Sequence, residues 1–308
     1  MKPAYSVIFL TTLIGAAQGL FLALFAADLL GPRAAAQEFQ VVGSVLALGL
    51  SGLGLLASFF HLGHPERAWR SAAMWRTSWL SREVIALPLF MLGLLVYGAA
   101  QQQGWAGTGV IGAVVALLCL ALFVCTSMVY ASVRFLQEWA SPLTVANYVL
   151  FGCASGFSLA TALAAWAAPE FVVRFAAAAS GLTLAALATR GASLRRNARL
   201  KPKSSLQTAV GIKHPRIVQT AQGFMGGSFN TREFFHGRSV SWLHGVKWAF
   251  LLLVFPLPLL CLANGVAAGS TVLLSAAFVL QYLGLLAERW FFLAQARHPQ
   301  NLYYQAIS

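Results

Sequence analysis

Histidine, arginine, tryptophan and carboxylate side chains crowd one stretch of this 308-residue chain, FFHLGHPERAWRSAAMWRTSWLSREV, from Phe59 to Val84. His61 closes one long apolar run and Glu83 opens the next, so an antiparallel helix pair would bring both to the same end. A histidine and a carboxylate both change protonation near neutral pH once partly desolvated. Together they can hydrogen-bond the ring oxygens of a quinone and carry the protons that accompany its electrons. An ionisable residue at the edge of a membrane span is a functional candidate by default. A plainer reading stands beside this one. Glu83 suits a helix N-terminus by charge alone, His61 can be a polar helix end, and Trp69, Trp75 and Trp79 with their arginines make an interfacial belt. Ser81 is the expected N-cap of the helix that carries Glu83.

Further candidates lie at other run ends. His64 and Arg82 flank the pair, Arg134 closes another apolar run, and Gln281, Tyr282, Glu288 and Arg289 sit near the end of the last. Adjacent residues point to different helix faces, so Glu288 and Arg289 need not bond each other. Each of these charges admits snorkelling to the interface or a place inside a bundle. The cysteines Cys119, Cys125, Cys153 and Cys261 are scattered in apolar runs without a CxxC pair, so no metal or cluster site is expected. Haem b is not expected either. His61 and His244 are the one histidine pair near run ends, and both sit close to the interface. No nucleophile–base motif of a hydrolase is present.

The elements that must position these residues follow from composition. The chain is 59% hydrophobic and 9% charged, with mean hydropathy +0.72, against roughly 25% charged residues in soluble domains. Lipid is therefore its main solvent, and continuous apolar runs imply helices, because a span must satisfy its own backbone. The fold class is an all-α membrane bundle of about eight spans within a single domain, 1–308. The spans run roughly 5–30, 40–61, 82–100, 108–134, 143–166, 170–190, 244–264 and 269–294. Small residues in the second span (Gly49, Gly52, Gly54) and the fifth (Gly152, Ser155, Gly156) suit close helix contacts. Nineteen of the 21 lysines and arginines, and all six histidines, then fall on the side of the two termini. The positive-inside rule places that side in the cytoplasm of a bacterial inner membrane.

One connection, 191–241, is long, polar and basic. It contains RRNARLKPK and then GFMGGSFNTREFFHG, whose Phe224, Phe229, Asn230, Arg232, Phe234, Phe235 and His236 mix aromatics with few charges. Attraction to anionic lipid accounts for the first part. The second resembles a docking surface for a partner protein, to which Arg67, Arg70 and Arg76 would add. No nucleic-acid partner is expected, because no fold frames the basic residues. A secondary transporter would need broken helices with polar residues at mid-membrane and an internal repeat; no repeat is seen, and acids in mid-span are nearly absent.

FHLGHPERAW (Phe60–Trp69), WLSREV (Trp79–Val84) and LAERWFF (Leu286–Phe292) resemble the membrane anchor subunit of dimethyl sulfoxide reductase over essentially the whole chain. The resemblance implies an anchor without metal of its own, which binds menaquinol or ubiquinol. A four-cluster iron–sulfur subunit would dock on it, with a molybdopterin catalytic subunit beyond. It assigns His61 and Glu83 to the quinone site, with Arg82 standing where the family has an asparagine. In dimethyl sulfoxide reductase the catalytic subunits face outward, whereas here the motif face is the basic, inner one. That difference and the basic insert resemble the anchor of the cytoplasm-facing sulfite dehydrogenase complex, a branch of the family in which sulfite is oxidised and quinone reduced.

Overall fold

The computed structural model describes residues 1–30, 37–60, 62–220 and 234–302. The chain is an all-α membrane bundle. In order it forms α1 (Tyr5–Leu30), α2 (Gln37–Phe59), a 3-10 helix (Pro65–Ala72), α3 (Trp79–Gln102), α4 (Thr108–Ala131) and α5 (Pro142–Ala167). There follow α6 (Val172–Ala198), the short α7 (Leu206–Val210), α8 (Val240–Val254), α9 (Pro256–Ala267) and α10 (Thr271–Ala294). Among the described residues, 8 spans are long and apolar enough to cross a membrane, α8 and α9 together making the seventh.

α1 is the axis of the bundle and packs against α2, α4, α5 and α10. Ile14, Leu20, Phe21 and Leu24 are fully enclosed. Its tightest neighbour is α5: a side chain at Gly19 would run into the backbone of Gly152 and Cys153, and one at Gly156 into Gly19 and Leu20. Backbone-to-backbone contact of this kind is what holds helices together in lipid, where water no longer drives apolar surfaces together. Gly49 and Gly52 differ from the sequence expectation, since nothing lies near the place of their missing side chains.

Polar side chains in the spans close backbone positions rather than leave them open. Gln18 Nε2 donates to the Cys119 carbonyl at 2.9 Å, and Gln40 Nε2 to the Leu24 carbonyl at 2.8 Å. The seventh span breaks at Phe255, whose successor Pro256 cannot donate to the helix behind it. Gln281, midway along α10, meets that break: its Nε2 reaches the Val254 carbonyl at 3.4 Å and Thr183 Oγ1 at 2.9 Å, while Ser158 donates to its Oε1 at 2.7 Å. Broken helices with polar company at mid-membrane are a transporter feature. Here the break is plugged by the protein's own amide, as lipid-embedded backbone requires.

Several span ends differ from the sequence reading by three residues or more, and two of them bear on the rim. α3 starts at Trp79, so its N-cap is Ser78, whose Oγ accepts from the Ser81 amide at 3.3 Å. Ser81 lies inside the first turn because Trp79 and Leu80 already continue the helix. α6 runs on to Ala198 instead of ending near 190. Its last turn carries Arg195 and Arg196, cations that suit a helix C-terminus. Arg196 Nη2 donates to the Gln137 carbonyl at 3.0 Å, which ties the extension to the loop after α4.

Candidate functional site

α3 enters the bundle at the rim that also holds the N-terminus and the end of α10. Glu83 lies one turn into it, about 6 Å along the helix from Trp79 at 1.5 Å per residue. The helix turns this carboxyl inward, leaving it 8% exposed. Thr126, on the last turns of α4, donates its hydroxyl to Glu83 Oε1 at 2.7 Å. Cys125 on α4 and Arg82 on α3 lie close enough to interact electrostatically with one another, as do Cys125 and Glu83.

Arg82 itself faces the other way. Its guanidinium donates to the Trp75 carbonyl at 2.9 Å and the Arg76 carbonyl at 2.8 Å, and it lies 4.2 Å from the Trp79 ring centroid. It thereby clamps the rim loop onto the start of α3. In the same loop Arg70 stacks on Trp69 and Arg76 on Trp75, and both tryptophans are exposed. Arg67, Arg70 and Arg76 all point outward, so this loop offers cations and aromatic faces just above the buried carboxyl.

The sequence-derived candidates separate into groups. Glu83 is buried with Thr126. His64 is exposed and bonds Glu66 through Nδ1 at 3.0 Å. Arg134 is exposed beyond the end of α4. Glu288 is fully buried and pairs with Arg190 Nη2 at 2.8 Å and Arg289 Nη1 at 3.1 Å. The expectation that Glu288 and Arg289 need not bond is thus corrected: burial of both side chains bends each toward the opposite charge within reach. His61, Phe224, Phe229, Asn230 and Arg232 lie outside the described residues. Phe234, Phe235 and His236 are half-buried. Phe234 stacks on His298 with ring centroids 4.3 Å apart, so part of the expected docking stretch rests on the chain's own C-terminal tail.

Several residues were missed. Thr126 reads as an ordinary small polar residue in a span. Tyr130, Trp139, Tyr148 and Phe292 form an aromatic cage beneath the same rim, with centroid spacings from 5.3 to 5.8 Å. Trp139 Nε1 donates to the Phe292 carbonyl at 3.0 Å. Arg190 is Glu288's closest partner, yet the two are far apart in the chain. The spacing of Thr126 and Tyr130, one turn apart at a span's end, was the available signal.

The family model for the DMSO reductase anchor subunit (DmsC) matches residues 1–294. The chain belongs to that family. The sulfite dehydrogenase C-subunit of Allochromatium vinosum is 53% identical to it over 325 aligned positions, with 100% of each chain covered. The anchor thus carries its Glu83–Thr126 pair and its basic, tryptophan-rich loop on one rim of a family membrane bundle.

Proposed function

We propose that this chain is the membrane anchor and quinone-reactive subunit of a molybdopterin oxidoreductase complex. It passes electrons between a docked iron–sulfur subunit and ubiquinone or menaquinone, and the reaction of the whole complex is sulfite oxidation coupled to quinone reduction. The observation that carries the reading is the Glu83 carboxyl, buried at the rim and bonded to Thr126 at 2.7 Å. A carboxyl placed there is out of water yet one turn from it. That is where a lipid-soluble ring must be met by a group able to hand it a proton. Thr126 orients the carboxyl, leaving its second oxygen for a ring oxygen of the quinone. His61 is the proposed second partner. The positive rim then faces the cytoplasm, and Arg67, Arg70 and Arg76 with the 191–241 stretch receive the iron–sulfur subunit. Full-length likeness to a sulfite dehydrogenase subunit supports sulfite as the partner's substrate. The family match favours one alternative, quinol oxidation in a dimethyl sulfoxide reductase-type complex.

The test is Glu83→Gln in the complete complex. We expect normal assembly, sulfite-dependent reduction of a short-chain ubiquinone lowered by roughly 100-fold or more, as for loss of a proton-transferring group, and unchanged sulfite oxidation with a soluble acceptor that bypasses the anchor. Full quinone turnover in that variant would remove Glu83 from the site. Turnover with dimethyl sulfoxide but not with sulfite would favour the alternative.

A further inference from the structure

Four buried ionisable side chains lie under this rim, two carboxyls and two guanidiniums: Glu83 on α3, Arg190 on α6, Glu288 and Arg289 on α10. They are not two separate pairs. Arg289 rests its guanidinium 3.6 Å from the centre of the Tyr148 ring. Tyr148 stacks on Tyr130 with centroids 5.4 Å apart. Tyr130 lies one turn beyond Thr126 on α4, and Thr126 donates its hydroxyl to Glu83. A polar band thus crosses the bundle from α3 to α6 through α4, α5 and α10, walled by Trp139, Phe151 and Phe292. The Arg190–Glu288–Arg289 triad holds two positive charges and one negative, so it carries a net positive charge inside the membrane. Arg190 Nε and Arg289 Nε are enclosed with no hydrogen-bond partner among the described residues. An uncompensated buried charge is costly. By formal charge, an ionised Glu83 would balance that excess.

We propose that Tyr130, Tyr148 and Arg289 are positioning residues for Glu83: they link its carboxyl to the buried triad and hold it ready to exchange a proton with bound quinone. The assignment rests on the quinone reading above. Tyr130 sits one residue from the end of α4, and Arg289 is the guanidinium that rests on Tyr148. Thr126 and Cys125 on α4 also lie beside Glu83, while its neighbour Arg82 turns outward onto the Trp75 and Arg76 carbonyls, and none of these belongs to the triad. The band therefore acts on the chemical step more than on entry of the quinone.

The intact complex, purified with its partner subunits, gives the test, with sulfite as donor and a short-chain ubiquinone as acceptor. Tyr130→Phe keeps the stacked ring and loses only the hydroxyl. We expect normal subunit assembly, a kcat lowered by roughly 10-fold or more, and a KM within about 3-fold of the parent. Arg289→Lys should retain most of the turnover that Arg289→Gln loses, since the charge is what matters. A Tyr130→Phe complex with full kcat, beside a Glu83→Gln complex that is dead, would overturn the band alone. Full turnover in Glu83→Gln would overturn both the band and the quinone reading. Equal loss in Arg289→Lys and Arg289→Gln, with Tyr130→Phe unaffected, would reduce the triad to a structural brace.

Discussion

Glu83 and Glu288 are both buried carboxyls near one rim, and their surroundings divide their work. Glu288 is enclosed between two guanidiniums, an arrangement that fixes a charge in place. Glu83 has a hydroxyl for company near the start of α3, an arrangement that, on the proposed function, lets it exchange a proton with quinone. A third kind of setting belongs to His298, outside the spans. Burial, and secondarily the Met1 ammonium, hold its imidazole below the usual histidine range. Its neutral form stacks on Phe234. A histidine with a lowered folded-state pKa contributes stability that is present above its unfolded value, about 6.5, and is lost as pH falls through the folded value. Protection against hydrogen exchange in 295–302 should therefore fall as pH drops from about 7.5 to roughly 5.5, and His298→Phe should weaken that dependence, the Met1 amino group, lowered to about 6 by burial, supplying the rest. Protection that ignores pH in the parent would contradict the packing. Glu83 was legible in sequence because a carboxylate opening an apolar run stands out. Tyr130 and Tyr148 were not, because a tyrosine near the end of a span reads equally as an interfacial anchor. The Arg190–Glu288 pair is a product of tertiary packing between α6 and α10, which no local pattern encodes.

At the scale of elements, the spans were legible because length and apolarity alone specify a helix in lipid. Their ends and contacts were less so. Gly156 and Gly52 look alike in sequence, yet one touches the backbone of α1 and the other faces open space. Gly156→Ala should lower folded yield in membranes and destabilise the bundle by about 1–3 kcal/mol, the usual cost of overpacking. Gly52→Ala should be neutral or slightly favourable, since alanine is the better helix former. Thermal unfolding in detergent would compare them, and equal stability of the two variants would contradict the α1–α5 contact. The break between α8 and α9 was missed when 244–264 was read as one span, although Pro256 causes it, and its closure by Gln281 depends on how α10 packs. α6 outran its apolar segment because the loop after α4 accepts hydrogen bonds from its polar end.

The whole molecule is sided. Its arginine–tryptophan loop, its buried carboxyls, its aromatic cage and the junction of Met1 with the Ala294 and Ala296 carbonyls all lie at one end. The other end carries an amide and phenol network, Gln37, Gln40, Tyr97 and Gln101, which closes turns. Between the two, Leu87, Phe90 and Leu94 fill α3 with apolar volume. This sidedness was legible from the charge count, because an even number of spans leaves both termini on the basic face. On the proposed function, electrons, protons and quinone converge at the α3–α4 end of that face. A photoreactive ubiquinone analogue, activated in membranes that hold the intact complex, measures this most directly. The account predicts labelled peptides from 79–86 and 123–130, suppressed by excess ubiquinone and lost in Glu83→Gln. Competable label confined to the Gln40–Tyr97 end of the bundle, or to the partner subunits, would contradict it.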